Sequence, residues 1–320
     1  MSNLFKQIIF IVSLFSCISL HAQLQLNKIS GTEGLSQNTV RSIIQDSNGF
    51  IWVGTYNGIN KYDGYSMVHY KFLNDVNSLS SNIIISLFED KDGYIWAGTT
   101  NAGLNRIDPR TGKIEVYFDD PNALDYASEI DHIYQSYSGV LFIKTSKGIK
   151  FFKVAVDGSI IFEDVKNRVD NFSLSIKNII PALNGKHWFF TPENNIKLHL
   201  AEINEITNVP DIKIQSTDIK AFEFDSSYPV NFIEYPKNTI WVISNRLQLL
   251  KIQLNNQLQV IDRELINLSD NGSGFSDKNF KKLAISVDKE QHIWVAGNGI
   301  LLNYDTQSGE KLNLNSSHRK

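Results

Sequence analysis

The stretch Asp46-Ser-Asn-Gly-Phe-Ile-Trp-Val-Gly-Thr-Tyr-Asn-Gly-Ile-Asn-Lys-Tyr-Asp63 decides the fold, because it returns. Its second copy is Asp90-Lys-Asp-Gly-Tyr-Ile-Trp-Ala-Gly-Thr-Thr-Asn-Ala-Gly-Leu-Asn-Arg-Ile-Asp108. Aligned on the tryptophan, one slot recurs as Trp52, Trp96, Phe142, Trp188, Trp241 and Trp294, at intervals of 44, 46, 46, 53 and 53 residues. All five tryptophans of the chain fall in that slot. A fixed period of this length marks a repeat architecture.

Each unit opens with a short apolar run, as in Thr39-Val-Arg-Ser-Ile-Ile44 and Asn82-Ile-Ile-Ile-Ser-Leu-Phe88. A polar turn ending in Gly49 or Gly93 follows, where glycine supplies the positive φ of a tight hairpin. The Trp run comes next, then a second Gly/Asn turn, a third run such as Gly58-Ile-Asn-Lys-Tyr62, and a weaker fourth. The runs are short, rich in β-branched and aromatic residues, and separated by turn signals about every ten residues. The predicted fold is all-β: a β-propeller of four-stranded antiparallel blades. Six blades are recognisable, at about 34–75, 76–121, 122–170, 171–225, 226–275 and 276–320, and an incomplete seven-bladed ring is expected. The slot aromatics are assigned to packing between blades, with Gly54 and Gly98 allowing close backbone approach. The later units carry longer segments, Asp211 to Asp225 and Gln257 to Phe275, read as candidate functional loops.

The N-terminus reads as an export signal over residues 1–22: Lys6 in a positive n-region, an uncharged apolar run from Ile8 to Leu20, and Ala22 before the cleavage point. Lipid attachment at Cys17, the sole cysteine, is the alternative. Either route takes the mature chain out of the cytoplasm, to the periplasm or an outer surface. Leu24 to Ile29 reads as an isolated strand that completes the last blade. With 31 basic against 34 acidic residues, the formal charge of -3 argues against generic nucleic-acid binding.

Catalytic patterns are not apparent. The sequence has no nucleophile elbow, no phosphate-cradling glycine loop and no histidine spacing suited to a metal, so no cofactor, metal or enzyme activity is expected. Asp46 and Asp90 lie three residues before a glycine, which suits turn caps on local backbone. Lys144, Lys147, Lys150 and Lys153 form a basic run, read either as a seat for a sulfated or carboxylated sugar or as solvated strand edges. If the first run of each unit lines the channel, one rim gathers Arg41, Tyr56, Asn57, Thr100, Asn101 and Lys147 as candidate ligand residues. Aromatic rings and side-chain amides suit sugars there. Asn38 and Asn82 recur at matching sites and are assigned a blade-linking role.

The pattern Gly34-Leu-Ser-Gln-Asn38, Asp46, Gly49, Trp52, Gly54-Thr55, Gly58-Ile59 resembles the two-component regulator propeller repeat. The second unit matches it with Leu79-Ser-Ser-Asn82, Asp90, Gly93, Trp96, Gly98-Thr99 and Gly103-Leu104. The resemblance implies the periplasmic sensor portion of a hybrid two-component system, whose members usually carry two seven-bladed rings, an immunoglobulin-like domain, a membrane helix and a kinase. The parts after the first ring are not in this sequence. It further implies an oligosaccharide ligand released by polysaccharide breakdown. Implied partners are the downstream domains of the same receptor or a second copy, with membrane contact only through those missing parts. A secreted carbohydrate- or protein-binding scaffold is the alternative, and a propeller lyase or glycosidase a third class.

Overall fold

The computed structural model describes residues 29–117, 129–135, 139–145, 148–155, 159–163, 178–181, 187–192, 196–207, 209–218, 231–269, 280, 283–297 and 300–314. The expected export signal, Cys17, nearly all of the expected leading strand and Lys147 lie outside them. The described strands form six four-stranded antiparallel sheets, each built from consecutive strands. The first holds β1 (Val40–Gln45), β2 (Ile51–Thr55), β3 (Gly58–Tyr62) and β4 (Met67–Tyr70). The second holds β5 (Ile84–Glu89), β6 (Ile95–Thr99), β7 (Leu104–Ile107) and β8 (Ile114–Tyr117). The third is β9 (Ile130–Gln135), β10 (Leu141–Thr145), β11 (Gly148–Val154) and β12 (Ile160–Glu163). The fourth is β13 (Asn178–Pro181), β14 (His187–Pro192), β15 (Ile196–Thr207) and β16 (Val209–Asp218). The fifth is β17 (Asn231–Glu234), β18 (Thr239–Ile243), β19 (Gln248–Leu254) and β20 (Val260–Asn267). The sixth is β21 (Ala284–Val287), β22 (His292–Gly297), β23 (Ile300–Asp305) and β24 (Lys311–Asn313). This is an all-β propeller.

First strands lie against first strands: β1 on β5, β5 on β9, β13 on β17 and β17 on β21. They are therefore the inner edges of the blades. Two segments read as inserts each contain most or all of the fourth strand of a blade. Val209–Asp218 pairs along most of β15, and Val260–Asn267 along β19. Alternating apolar residues such as Ile212 and Ile214 supply the period-two pattern that carries such pairing.

The slot aromatics pack as their recurrence predicts. Trp52, Trp96, Phe142, Trp188 and Trp241 are buried, while Trp294 is half-buried. Trp52 sits in one apolar cluster with Ile84, Leu87, Ile95 and Ala97 of the next blade. The glycine two residues later is required by that contact. A Cβ on Gly54 would lie 2.7 Å from Ile84, and one on Gly98 would lie 2.7 Å from Ile130. The Leu-Ser motif before each of the first two blades is held by an asparagine of the third strand. Asn60 Oδ1 accepts from Ser36 N at 2.8 Å, and Asn105 Oδ1 from Ser80 N at 2.9 Å. Both asparagines are buried, so these bonds answer polar groups that would otherwise be costly.

The first blade departs from this pattern on one face. Val40, Ile84 and Ile130 occupy the same register position, opposite Thr55, Thr99 and Thr145. Ile84 and Ile130 are fully buried by the preceding blade, yet Val40 is 44% exposed. Ile43 is 63% exposed where its counterparts Leu87 and Ile133 are buried. At the other end of the array, Trp294 presents a half-uncovered face. Among the described residues, Val40 and Ile43 at one end of the array and Trp294 at the other are thus slot and inner-strand positions left partly exposed.

Candidate functional site

The rim that carries the candidate residues is built by the starts of the inner strands and the turns between second and third strands. Arg41 lies on β1, whose bulged start departs from regular register between Val40 and Ser42. Its guanidinium Nη2 donates to Glu129 Oε1 at 3.3 Å, joining the first blade to the third. The same guanidinium lies 5.7 Å from the ring of Tyr56, which is 45% exposed. Arg41 Nε is buried and has no hydrogen-bond partner. Asp131, two residues after Glu129, faces Lys144 Nζ at 3.6 Å. The mouth of the channel thus combines an open aromatic ring with two ion pairs, Arg41 with Glu129 and Lys144 with Asp131.

The other candidates divide. Asn57 Nδ2 donates to Ser36 O at 3.1 Å and its amide donates to Thr55 Oγ1 at 3.0 Å, so its side chain holds the loop in place. The Thr100 amide donates to Ile83 O at 3.3 Å, tying its turn to the start of the inner strand. Asn101 is exposed and sits at φ 56, a left-handed position that asparagine tolerates. Lys147 is not among the described residues. Of the two asparagines assigned to blade linking, Asn82 does so, its Oδ1 accepting from Phe72 N at 2.9 Å, whereas Asn38 Oδ1 accepts from Gly31 N at 2.8 Å within the segment leading into its own blade. Asn82 O also accepts from Gly58 N of the first blade at 2.7 Å.

Sequence reasoning missed Glu129 and Asp131. Their signal was positional, since Glu129 immediately precedes the inner strand of the third unit, as Thr39 precedes β1. The two lysines of the basic run whose side chains are described do not share a patch. Lys144 belongs to the mouth, whereas Lys153 lines a cleft of about 260 Å³ with Asp90, Lys91, Arg106, Gln135 and Leu141. That cleft lies by the turn between first and second strands, on the opposite rim. His187 is buried between the third and fourth blades, edge-on to Phe142 at 5.0 Å. Burial pushes its pKa down to about 4. Among the described residues, no group of three or more His, Cys, Asp or Glu could hold a metal ion. No described helix is long and apolar enough to cross a membrane.

Comparison with known proteins bears on this geometry. Residues 34–57 and 78–101 match the model of the "Two component regulator propeller" family. The first two blades therefore carry two-component regulator propeller repeats. Histidine kinase P4 of Formosa agariphila is 43% identical over 68 residues, which is 20% of this chain and 5% of that protein. The extracellular domain of a hybrid two-component system of B. thetaiotaomicron, BT4673, superposes with a TM-score of 0.62 at 21% identity. That match covers 90% of this chain and 38% of that one. Virginiamycin B lyase of Staphylococcus aureus reaches a TM-score of 0.59 at 16% identity, over 87% of this chain and 85% of that one. This chain therefore spans well under half the length of the kinase and of the two-component ectodomain it matches. At these identities the solved structures establish the propeller fold, which receptors and lyases share.

Proposed function

We propose that this chain is a ligand-sensing propeller of a hybrid two-component regulator, exported from the cytoplasm, that binds an oligosaccharide at the channel mouth. The observation that carries this reading is the pairing of two-component repeats in the first two blades with the residues those blades deliver. Arg41 and Tyr56 come from the first repeat, and Thr100 and Asn101 from the second. An exposed aromatic ring beside fixed polar donors is the arrangement that sugars use, by stacking and by hydrogen bonds to hydroxyls.

In this reading the ring is completed by a further, seventh blade. The open faces of Val40 and Ile43 at one end, and of Trp294 at the other, support that. Binding at the mouth touches the first, second and third blades together, so a ligand would bias their arrangement and that of the receptor domains attached to the ring. Kinase output would lie in those domains.

Titration calorimetry of the chain against a panel of plant and algal oligosaccharides tests the proposal. Saturable heat from at least one member is expected. Turnover of a panel member, or no heat from any of them, would overturn it.

A further inference from the structure

Arg41 is an arginine whose donors are not fully used. Guanidinium offers five N–H donors in a fork that suits two parallel bonds to a carboxylate or sulfate. Here a single long contact of 3.3 Å reaches Glu129, and Nε has no acceptor at all. The Glu129 side chain is 41% exposed against 21% for Arg41, so the acid is the looser partner. A single contact of this length with the looser acid in solvent is a weak tie. The neighbouring acid, Asp131, already faces Lys144, which offsets its repulsion of an incoming anion. Tyr56 stands beside the guanidinium with its ring open to solvent.

We propose that Arg41 is the seat for an anionic group on the ligand, a sugar carboxylate or sulfate, and that Glu129 occupies this seat until the ligand displaces it. The inference rests on the channel mouth being the ligand site. The ligand's anion takes the terminal Nη donors that Glu129 vacates, while its ring lies along Tyr56. Glu129 then swings outward, where its own exposure makes release inexpensive. A neutral sugar has no group able to make that exchange, so Glu129 acts as a selectivity device against it.

The test uses the whole chain labelled with ¹⁵N-arginine, and follows the Arg41 Nε–H resonance, identified by its loss in Arg41→Lys. The probes are D-glucuronate, glucose 6-sulfate and glucose. The Arg41 signal is expected to shift saturably with one or both anionic sugars and to stay put with glucose. Which anion shifts it separates carboxylate from sulfate. Glu129→Gln, by removing the internal competitor, should tighten that binding by about fivefold. An Arg41 signal unmoved by both anions, or moved equally by glucose, overturns the inference. So does oligosaccharide binding that Arg41→Lys leaves unchanged, and in that case the sugar-sensing reading survives. If the anions shift Arg41 while no oligosaccharide produces heat, the anion seat stands and the oligosaccharide reading falls.

Discussion

Asp46 Oδ2 accepts a hydrogen bond from Trp52 Nε1 at 2.8 Å, six residues on and across the hairpin that joins them. Its other oxygen accepts from the Asn48 and Phe50 amides at 3.0 and 2.9 Å. One buried carboxylate thus closes the turn and satisfies the indole of the slot. Asp90 repeats the arrangement with Trp96 at 2.7 Å, and Asp288 with Trp294 at 2.6 Å. Where the sequence breaks the spacing, the bond is rerouted. Position 182 is alanine, and Trp188 instead donates to Glu234 of the next blade at 2.9 Å. Trp241 donates to the backbone oxygen of Tyr235 at 2.6 Å. Position 136 is serine, and its slot holds Phe142, which has no donor to satisfy.

Removing the acid should strand the indole. Asp90→Ala leaves Trp96 Nε1 and two turn amides without their acceptor, at a cost of about 3 kcal/mol. In an Asp90→Ala/Trp96→Phe double variant the indole donor is gone, so the two costs should fall short of additive by about 1 kcal/mol or more. Urea unfolding of the four-member cycle checks this, and strict additivity would contradict the proposed role.

The slot should be worth most where a neighbouring blade covers it. Trp96→Ala creates a cavity between the second and third blades and should cost about 3–5 kcal/mol. Trp294→Ala, on the half-open face, should cost less than half as much. Equal losses in thermal or urea unfolding would mean that the sixth blade is covered as fully as the second.

Gly98 should reject a side chain for reasons of space. An added Cβ would sit 2.5 Å from Ser86 Oγ and 2.7 Å from Ile130 Cγ2. Overpacking of this kind costs about 1–3 kcal/mol. Gly98→Ala should therefore be destabilised, and Ile130→Ala combined with it should lose less than the sum of the two single changes. Additive losses would place the clash elsewhere.

His187 should make stability pH-dependent in a defined window. Burial lowers its folded pKa from 6.5 to about 4, so between those values the unfolded chain binds the proton and the folded chain does not. Stability attributable to this group is complete above pH 6.5 and is lost as pH falls towards 4, on the order of 3 kcal/mol in all. Comparing unfolding free energies of wild type and His187→Leu from pH 7 to 4 isolates the effect. A parallel dependence in the two proteins would contradict it.

The propeller was legible because its deciding residues repeat and are costly to misplace. A tryptophan is hard to bury anywhere but in a shaped slot, so Trp52 and its successors reported blades directly. The linking role of Asn82 was legible from its recurrence, although its counterpart Asn38 bonds within the segment leading into its own blade. Asp46 and Asp90 were rightly read as turn caps, but their bond to the indole was missed, although the six-residue spacing to the tryptophan held the signal. The mouth was legible only in part. Arg41 and Tyr56 lie near each other in the chain, whereas Glu129 comes from 88 residues away and occurs once. Only the ring geometry brings a singular residue of that kind to the site. Strands β16 and β20 fall in segments read as inserts because their units run longer than the first two, although alternating apolar residues carried a strand pattern.

The most direct test of the channel mouth as the ligand site is hydrogen exchange on the chain with and without an oligosaccharide that binds it. The account predicts slowed exchange confined to the amides around residues 39–41, 56–57, 83, 100–101 and 129–131. Protection that spares these segments and falls instead on the opposite rim, at residues 90–94 and 139–141, would contradict it.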